Sequence, residues 1–278
     1  MIKVQLTGAQ ETLLATLYGR ALDARSEHPI LGDTLADDTV RHIDYDFSQL
    51  HLTPGDAAGV ALRAHQLDTW TQQFITDQPD AVVLHLGCGL DTRVHRLAPP
   101  PTVEWWDVDQ ADVIDLRTRL YPPRPGYHTV GASVTDAAWL AAVPSGRPTM
   151  VVAEGLLMYL TEQDGKHLIT RLLDHFRAGG RLAFDAYSPL GIRLQGLNRA
   201  VRASGATLHW GITSAAELAD LDPRLRVLDE VKAFDIPGRD QLPAPYRAAT
   251  TALAHVPGVN RLAQLHLLAF TPHGPAPA

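Results

Sequence analysis

Val82-Val83-Leu84-His85-Leu86-Gly87-Cys88-Gly89-Leu90-Asp91-Thr92-Arg93 is the stretch on which the reading of this chain turns. An apolar run of β type ends in Gly87-x-Gly89. About 20 residues further on, the acidic group Asp107-Val108-Asp109 closes the next apolar run. A strand, a glycine turn that admits a ligand close to backbone, and a carboxylate placed for a ribose diol make up the local pattern of a Rossmann-like nucleotide site. Thr92 stands where the dinucleotide fingerprint needs its third glycine. That fingerprint cradles a pyrophosphate at a helix start. S-adenosylmethionine has no phosphate, so the pattern favours this methyl donor over NAD.

Composition sets the frame around that stretch. With 278 residues, 45% of them hydrophobic, the chain can bury a full core as one large domain, and a single domain over 1–278 is expected. A formal charge of -7 with no lysine or arginine cluster speaks against a nucleic-acid partner. Cys88 is the single cysteine, which excludes internal disulfides and fits a reducing compartment. Residues 1–7 hold no apolar segment followed by a cleavage site. No run approaches the roughly 20 apolar residues that span a bilayer. A soluble, cytoplasmic protein without a membrane partner is the expectation; the oligomeric state has no sequence signature.

Residues 8–75 read as helical without strand alternation. Leu13, Leu14, Leu17, Ala21 and Leu22 recur at helical spacing over 11–25, and Val60, Leu62, Leu67, Trp70 and Phe74 do so over 57–75. From residue 80, short apolar runs alternate with helical stretches. The expected strands are 81–86, 102–107, 127–132, 149–153, 180–186, 225–234 and 263–271. The expected helices are 91–97, 110–120, 136–142, 162–178, 190–204, 214–220 and 244–255. Such alternation implies an α/β fold with parallel strands and helices on both faces. Residues 1–75 are then a helical cap roofing the ligand crevice of a core over 76–271, with 272–278 a disordered tail.

Several residues could carry chemistry. Gly87, Cys88 and Gly89 form the turn; Cys88 reads as a tolerated small residue between the glycines. Asp107 or Asp109 is placed for the ribose hydroxyls, and Asp109 also precedes a helix that it could cap. Glu154 follows the run Met150-Val151-Val152 and lies where a cationic sulfonium or amino group would meet it. Arg63, on the second N-terminal helix, could grip a carboxylate with two prongs. Tyr187 and Arg193, after Phe184-Asp185-Ala186, could line an acceptor pocket. The 13 histidines include no His-Glu-x-x-His pattern, and there is no Cys-x-x-Cys pair, so no metal site is expected.

Taken together, these segments resemble the leucine carboxyl methyltransferase family, in particular its bacterial branch of polyketide O-methyltransferases. The resemblance is carried by Leu6-Thr7-Gly8-Ala9-Gln10-Glu11-Thr12-Leu13-Leu14, Leu17-Tyr18-Gly19-Arg20-Ala21 and Leu86-Gly87-Cys88-Gly89-Leu90-Asp91-Thr92-Arg93. Further matches are Asp107-Val108-Asp109, Ser133-Val134-Thr135-Asp136, Glu154-Gly155-Leu156-Leu157-Met158-Tyr159-Leu160, Phe184-Asp185-Ala186-Tyr187-Ser188 and Gly205-Ala206-Thr207-Leu208-His209-Trp210-Gly211. The resemblance implies a Rossmann-like class I methyltransferase, with a seven-stranded, mostly parallel sheet binding S-adenosylmethionine across its carboxyl edge. It implies that Arg63 holds the methionine carboxylate, Gly87 lines the methionine arm, Asp109 takes the ribose and Glu154 sits by the amino group. Ser133-Val134 replaces the family's Asp-Leu at adenine, leaving that contact to Ser133, to backbone or to Asp136.

The expected reaction is transfer of methyl to a carboxylate or phenolic hydroxyl of a small molecule, with a polyketide-type acid as the first candidate. A carboxylate of pKa about 4 is ionised at neutral pH, whereas a phenol near 10 needs a base. Tyr187 and His209 are the candidate bases, with no pattern that singles either out. The rival readings are an NAD-dependent oxidoreductase and a non-catalytic ligand-binding protein on the same scaffold.

Overall fold

The computed structural model describes residues 1–4, 11–197, 201–202 and 206–271. The tail expected to be disordered (272–278), the start of the family motif (6–10), Gly205, and 198–200 and 203–204 of the helix expected over 190–204 lie outside them.

The alternation after residue 80 resolves into seven strands: β1 (Val82–Leu86), β2 (Glu104–Asp109), β3 (Tyr127–Gly131), β4 (Thr149–Ala153), β5 (Gly180–Tyr187), β6 (Leu225–Lys232) and β7 (Ala263–Phe270). Their order in one sheet is β3-β2-β1-β4-β5-β7-β6. Every pairing from β3 to β5 is parallel, whereas β7 runs antiparallel to both of its neighbours. That inversion has a topological consequence. Tyr187, at the end of β5, pairs with Ala263, at the start of β7. The chain between β6 and β7 therefore sits over the edge at which the parallel strands end, which is the ligand edge of open α/β sheets.

The helices are α1 (Glu11–Ala24), α2 (Thr34–His42), α3 (Pro54–Asp77), α4 (Arg93–Leu97), α5 (Ala111–Leu120), α6 (Glu162–His175), α7 (Pro189–Arg193), α8 (Ala215–Ala219) and α9 (Ala244–Ala254). Side chains alternate along β1 as a pleated strand requires. Val82, Leu84 and Leu86 pack with Leu168, Ile169, Leu172 and Leu173 of α6 on one face. Val83 packs with Leu67, Trp70, Phe74 and Ile75 of α3 on the other. α3 starts where Thr53 and Asp56 close a capping box: Asp56 N–H donates to Thr53 Oγ1 at 3.2 Å and Thr53 N–H to Asp56 Oδ2 at 2.8 Å. Pro54 occupies the first turn, where its missing N–H costs nothing. α1 and α2 build a separate apolar cluster through Leu14, Leu17, Ala36 and Val40, against Leu90 and Leu116 of the core.

Several expected elements change. The N-terminal segment, read without strands, contains a two-residue parallel pairing of Ile2–Lys3 with Ile43–Asp44. α2 was not foreseen, because its few apolar residues are diluted by Asp37, Asp38 and Arg41. The helix expected over 136–142 is a 3-10 turn at Ala138–Ala142, and the described part of 190–204 holds α7, a 3-10 turn at Gln195–Leu197 and helical backbone at 201–202. α6 stops at His175, ahead of Gly179 and Gly180, and β6 gives way at Ala233 to a 3-10 turn.

Candidate active site

The turn after β1 is built from backbone. Gly87 and Gly89 have φ of 59° and 49°, the left-handed region that glycine enters without a Cβ penalty. The N–H of Gly87 donates to the Val108 carbonyl at 2.8 Å, and that of Gly89 to Asp109 Oδ2 at 2.7 Å. Asp109 thus faces the glycine turn, half-buried, and burial raises its pKa. Asp107 is committed elsewhere. Wholly buried, it accepts from Trp105 Nε1 and the Tyr127 hydroxyl, both at 2.8 Å, and pairs with Arg117. Burial alone would raise its pKa, but Arg117 outweighs that and holds it at about 2. Beyond β3, Ala132 N–H donates to the Asp109 carbonyl at 2.8 Å, which sets Ser133 and Val134 beside Asp109. Ser133 Oγ meets Thr135 Oγ1 at 2.8 Å, the Val134 carbonyl accepts from Arg171, and Asp136 caps Ala138.

On the other side of the turn lies a buried ionic network. Arg63 donates from Nε to Glu154 Oε1 and from Nη1 to Asp185 Oδ2, each at 3.0 Å. Arg93 donates from Nη2 to Glu154 at 2.5 Å and from Nε to Asp68 at 2.6 Å. Arg96 joins Asp68, Asp33 and Asp91, and Arg20 Nη1 lies 3.5 Å from Asp91 and 3.8 Å from Glu154. Four guanidiniums thus face five carboxylates, Asp33, Asp68, Asp91, Glu154 and Asp185, and the cluster keeps an excess of negative charge. Burial would raise the pKa of Glu154, but Arg63 and Arg93 hold it at about 2. Asp185 is raised, burial outweighing Arg63. Two buried atoms of the network, Arg20 Nε and Asp91 Oδ2, have no hydrogen-bond partner among the described residues. Both residues are held by ion pairs instead, Asp91 Oδ2 lying 3.5 Å from Arg20 Nη1 and 3.4 Å from Arg93 Nη1.

The network opens on a cavity of about 590 Å³. Arg63, Gly87, Cys88, Gly89, Glu154 and Tyr187 line it. Asp109, Ser133 and Val134 lie along the sheet edge beyond the glycine turn, outside that lining. Arg193 and His209 are exposed and are not brought to the cavity; the His209 backbone N–H donates to the Met158 carbonyl at 2.8 Å. The Cys88 thiol is pushed up by burial and is not a thiolate at neutral pH. The described residues contain no group of three or more His, Cys, Asp or Glu able to hold a metal ion, and no helix long and apolar enough to cross a membrane.

Residues 13–173 match the family model described as leucine carboxyl methyltransferase. The chain belongs to that family. It is 48% identical over 234 residues to the tetracenomycin polyketide synthesis O-methyltransferase TcmP of Streptomyces glaucescens, covering 84% of this chain and 86% of that one. It is 36% identical to an S-adenosyl-L-methionine-dependent methyltransferase, dpfgK, of Gibberella zeae, covering 81% and 82%. Among solved structures, a DUF574 family protein of Streptomyces avermitilis superposes with a TM-score of 0.62 at 14% identity, over 96% of this chain and 98% of that one. A methyltransferase-like structure from Thermobifida fusca gives 0.58 at 18% identity, over 92% and 94%. These structures share the fold.

As a member of the leucine carboxyl methyltransferase family, the protein is an enzyme of the S-adenosylmethionine-dependent methyltransferase class, and the NAD-dependent reading is set aside. Sequence reasoning reached the glycine turn and Glu154 but assigned no role to Arg20, Asp68, Asp91, Arg93, Arg96 or Asp185. The available signal was Asp91-Thr92-Arg93, two charges placed directly after a buried strand and its turn. The cavity wall supplied by Phe234, Arg239 and Tyr246, between β6 and β7, had no local signal.

Proposed function

We propose that S-adenosylmethionine lies across the carboxyl edge of the sheet, and that its methyl passes to a carboxylate or phenolic oxygen of a polyketide-type small molecule held in the cavity. On this reading the adenine lies by Ser133 and Val134, the ribose hydroxyls bond Asp109, and Gly87 to Gly89 pass under the methionine arm. The amino group meets Glu154 and Asp91, and the carboxylate meets Arg63 and Arg20. The geometry suits the length of such a ligand. From beyond β3 to β4 is three strand spacings, about 14 Å, in the order adenine, ribose, sulfur, amino acid. The observation that carries the reading is the Gly87–Gly89 turn bonded to Asp109 on one side and flanked by the Arg63–Glu154 pair on the other.

S-adenosylmethionine supplies an electrophilic methyl on a positively charged sulfur. The chain's own residues orient the two partners and keep water out, which accounts for most of the acceleration available to such a displacement. The carboxylate excess of the network favours a cation beside it. A carboxylate acceptor arrives ionised and needs no base. A phenol would rely on Tyr187 as the candidate base that reaches the cavity. A small-molecule acceptor, with neither nucleic acid nor membrane as partner, fits a cavity of about 590 Å³ and the charge of -7. A cytoplasmic setting belongs to the same proposal.

The test combines calorimetry with S-adenosylhomocysteine and NADH with product identification from an aromatic polyketide mixture, using isotope-labelled methyl donor. Binding of S-adenosylhomocysteine without NADH, and label recovered in an ester or aryl methyl ether, is the expected result. Binding of NADH alone overturns the proposal, as does transfer of the label to nitrogen or carbon only.

A further inference from the structure

Helix α3 lines the cavity with Asp56, Val60 and Leu62 and with a row at i, i+4 and i+8, Gly55, Gly59 and Arg63. At 1.5 Å per residue, they span about 12 Å along the helix axis. Both ends of this row are occupied by protein. A Cβ at Gly55 would strike the Tyr246 ring of α9 at 2.3 Å, so the glycine there is explained by that ring. Arg63 is bonded to Glu154 and Asp185. Between them, a Cβ at Gly59 would meet nothing within 4 Å. Glycine inside a helix is destabilising relative to alanine, and no atom of the described residues requires it at 59. Gly59 is exposed and lines the cavity, so a ligand there can approach the helix backbone closely.

A second wall, packed against α3 at Gly55 and Leu62, comes from the chain between β6 and β7, which the inverted β7 carries to this edge. It contributes Phe234, Ile236, Leu242 and Tyr246, and one cation, Arg239. Arg239 uses Nη1 for the Phe234 carbonyl at 2.7 Å and for Asp235 Oδ1 at 2.9 Å, and its side chain keeps 33% exposure. The chamber therefore combines a bare patch of α3 backbone at Gly59, apolar and aromatic walls, and a guanidinium, Arg239, that takes no part in the network around Glu154. We propose that Gly59 and Arg239 determine acceptor specificity: the slot takes a flat, fused-ring aromatic lying on the α3 backbone at Gly59, with an acidic oxygen directed to Arg239. Aromatic faces pack closely against a bare backbone, and a bulky side chain at 59 would fill that space.

This inference rests on the cavity being the acceptor chamber, and the experiment separates the two. Anthracene-2-carboxylate and benzoate are titrated into wild type, Gly59→Ala, Gly59→Leu and Arg239→Gln, each saturated with S-adenosylhomocysteine. Wild type is expected to bind the three-ring acid more tightly than benzoate. Gly59→Leu should weaken the three-ring acid by about tenfold or more, with S-adenosylhomocysteine affinity and benzoate binding unchanged. Gly59→Ala should show a smaller loss and a Tm at or above that of wild type, since alanine is the better helix former. Arg239→Gln should weaken anthracene-2-carboxylate but not its carboxamide. The proposal is overturned if wild type does not prefer the three-ring acid, or if Gly59→Ala and Gly59→Leu bind it as wild type does. It also fails if Gly59→Ala lowers Tm, because the fold itself would then need the glycine. Failure of S-adenosylhomocysteine to bind ends the wider functional reading instead.

Discussion

Arg93 donates from Nη2 to Glu154 at 2.5 Å, with the two side chains 0% and 5% exposed. Arg93 follows the glycine turn after β1, and Glu154 follows β4, so the pair ties together the two strand ends between which the site opens. Charges fixed in this way before a ligand arrives need no reorganisation when it does.

Arg93→Met should destabilise the protein by about 3–5 kcal/mol, because Glu154 and Asp68 would lose a buried partner while staying charged. Urea unfolding followed by circular dichroism reads the change. A loss under 1 kcal/mol would mean that water or another arginine compensates.

Asp109→Ala and Asp107→Ala should separate ligand binding from folding. Asp109 takes the Gly89 N–H at the sheet edge, and its loss should weaken S-adenosylhomocysteine by about 1–3 kcal/mol in calorimetry. Asp107 is enclosed by Trp105, Tyr127 and Arg117, so its removal should appear mainly as lost stability. If Asp107→Ala weakens the ligand in a still-stable fold and Asp109→Ala does not, the ribose assignment is reversed.

Arg63→Ala removes the proposed carboxylate partner and also releases Glu154 and Asp185 from their shared cation. Donor affinity should fall about tenfold or more, the scale of a charge-assisted contact. Unchanged affinity for S-adenosylhomocysteine would remove Arg63 from the site.

His266 on β7 gives a pH dependence of defined sign. Burial lowers its pKa to about 4, only partly opposed by Glu230 3.7 Å away. The folded chain therefore keeps it neutral, while the unfolded chain protonates it near 6.5. Its share of stability is complete above about pH 6.5 and is lost as pH falls towards 4, to a ceiling on the order of 3 kcal/mol. Urea midpoints should decline across that window, and His266→Leu should flatten the decline. Parallel slopes in both proteins would place the acid sensitivity elsewhere.

The fold was legible because its signals are local. The apolar run at 82–86, the glycines after it and the alternation beyond them specify a strand, a turn and an α/β succession without knowledge of distant contacts. Glu154 and Tyr187 were found for the same reason, each standing at a strand's end. Arg193 and His209 were named from neighbourhood alone; α7 leaves Arg193 exposed, and the His209 side chain is exposed as well. The network was not legible because its pairs are remote in sequence, as Arg20 with Asp91 or Arg63 with Asp185. An arginine on a helix looks alike whether it meets water or a carboxylate from another element. The β6–β7 wall was hidden for a related reason: its place depends on the direction of β7, which the pattern of an apolar run does not disclose.

Arg20, Asp33 and Asp68 come from the first seventy residues, yet they neutralise charges planted in the sheet's own loops. A fragment starting after α3 would lose Arg20, Asp33, Arg63 and Asp68 and leave Asp91, Arg93, Arg96 and Glu154 with only one another as ion-pair partners. The leading helices are thus no detachable accessory. Trimming them, or grafting them from a relative with different acidic and basic positions, would upset the ionic balance on which the remainder depends.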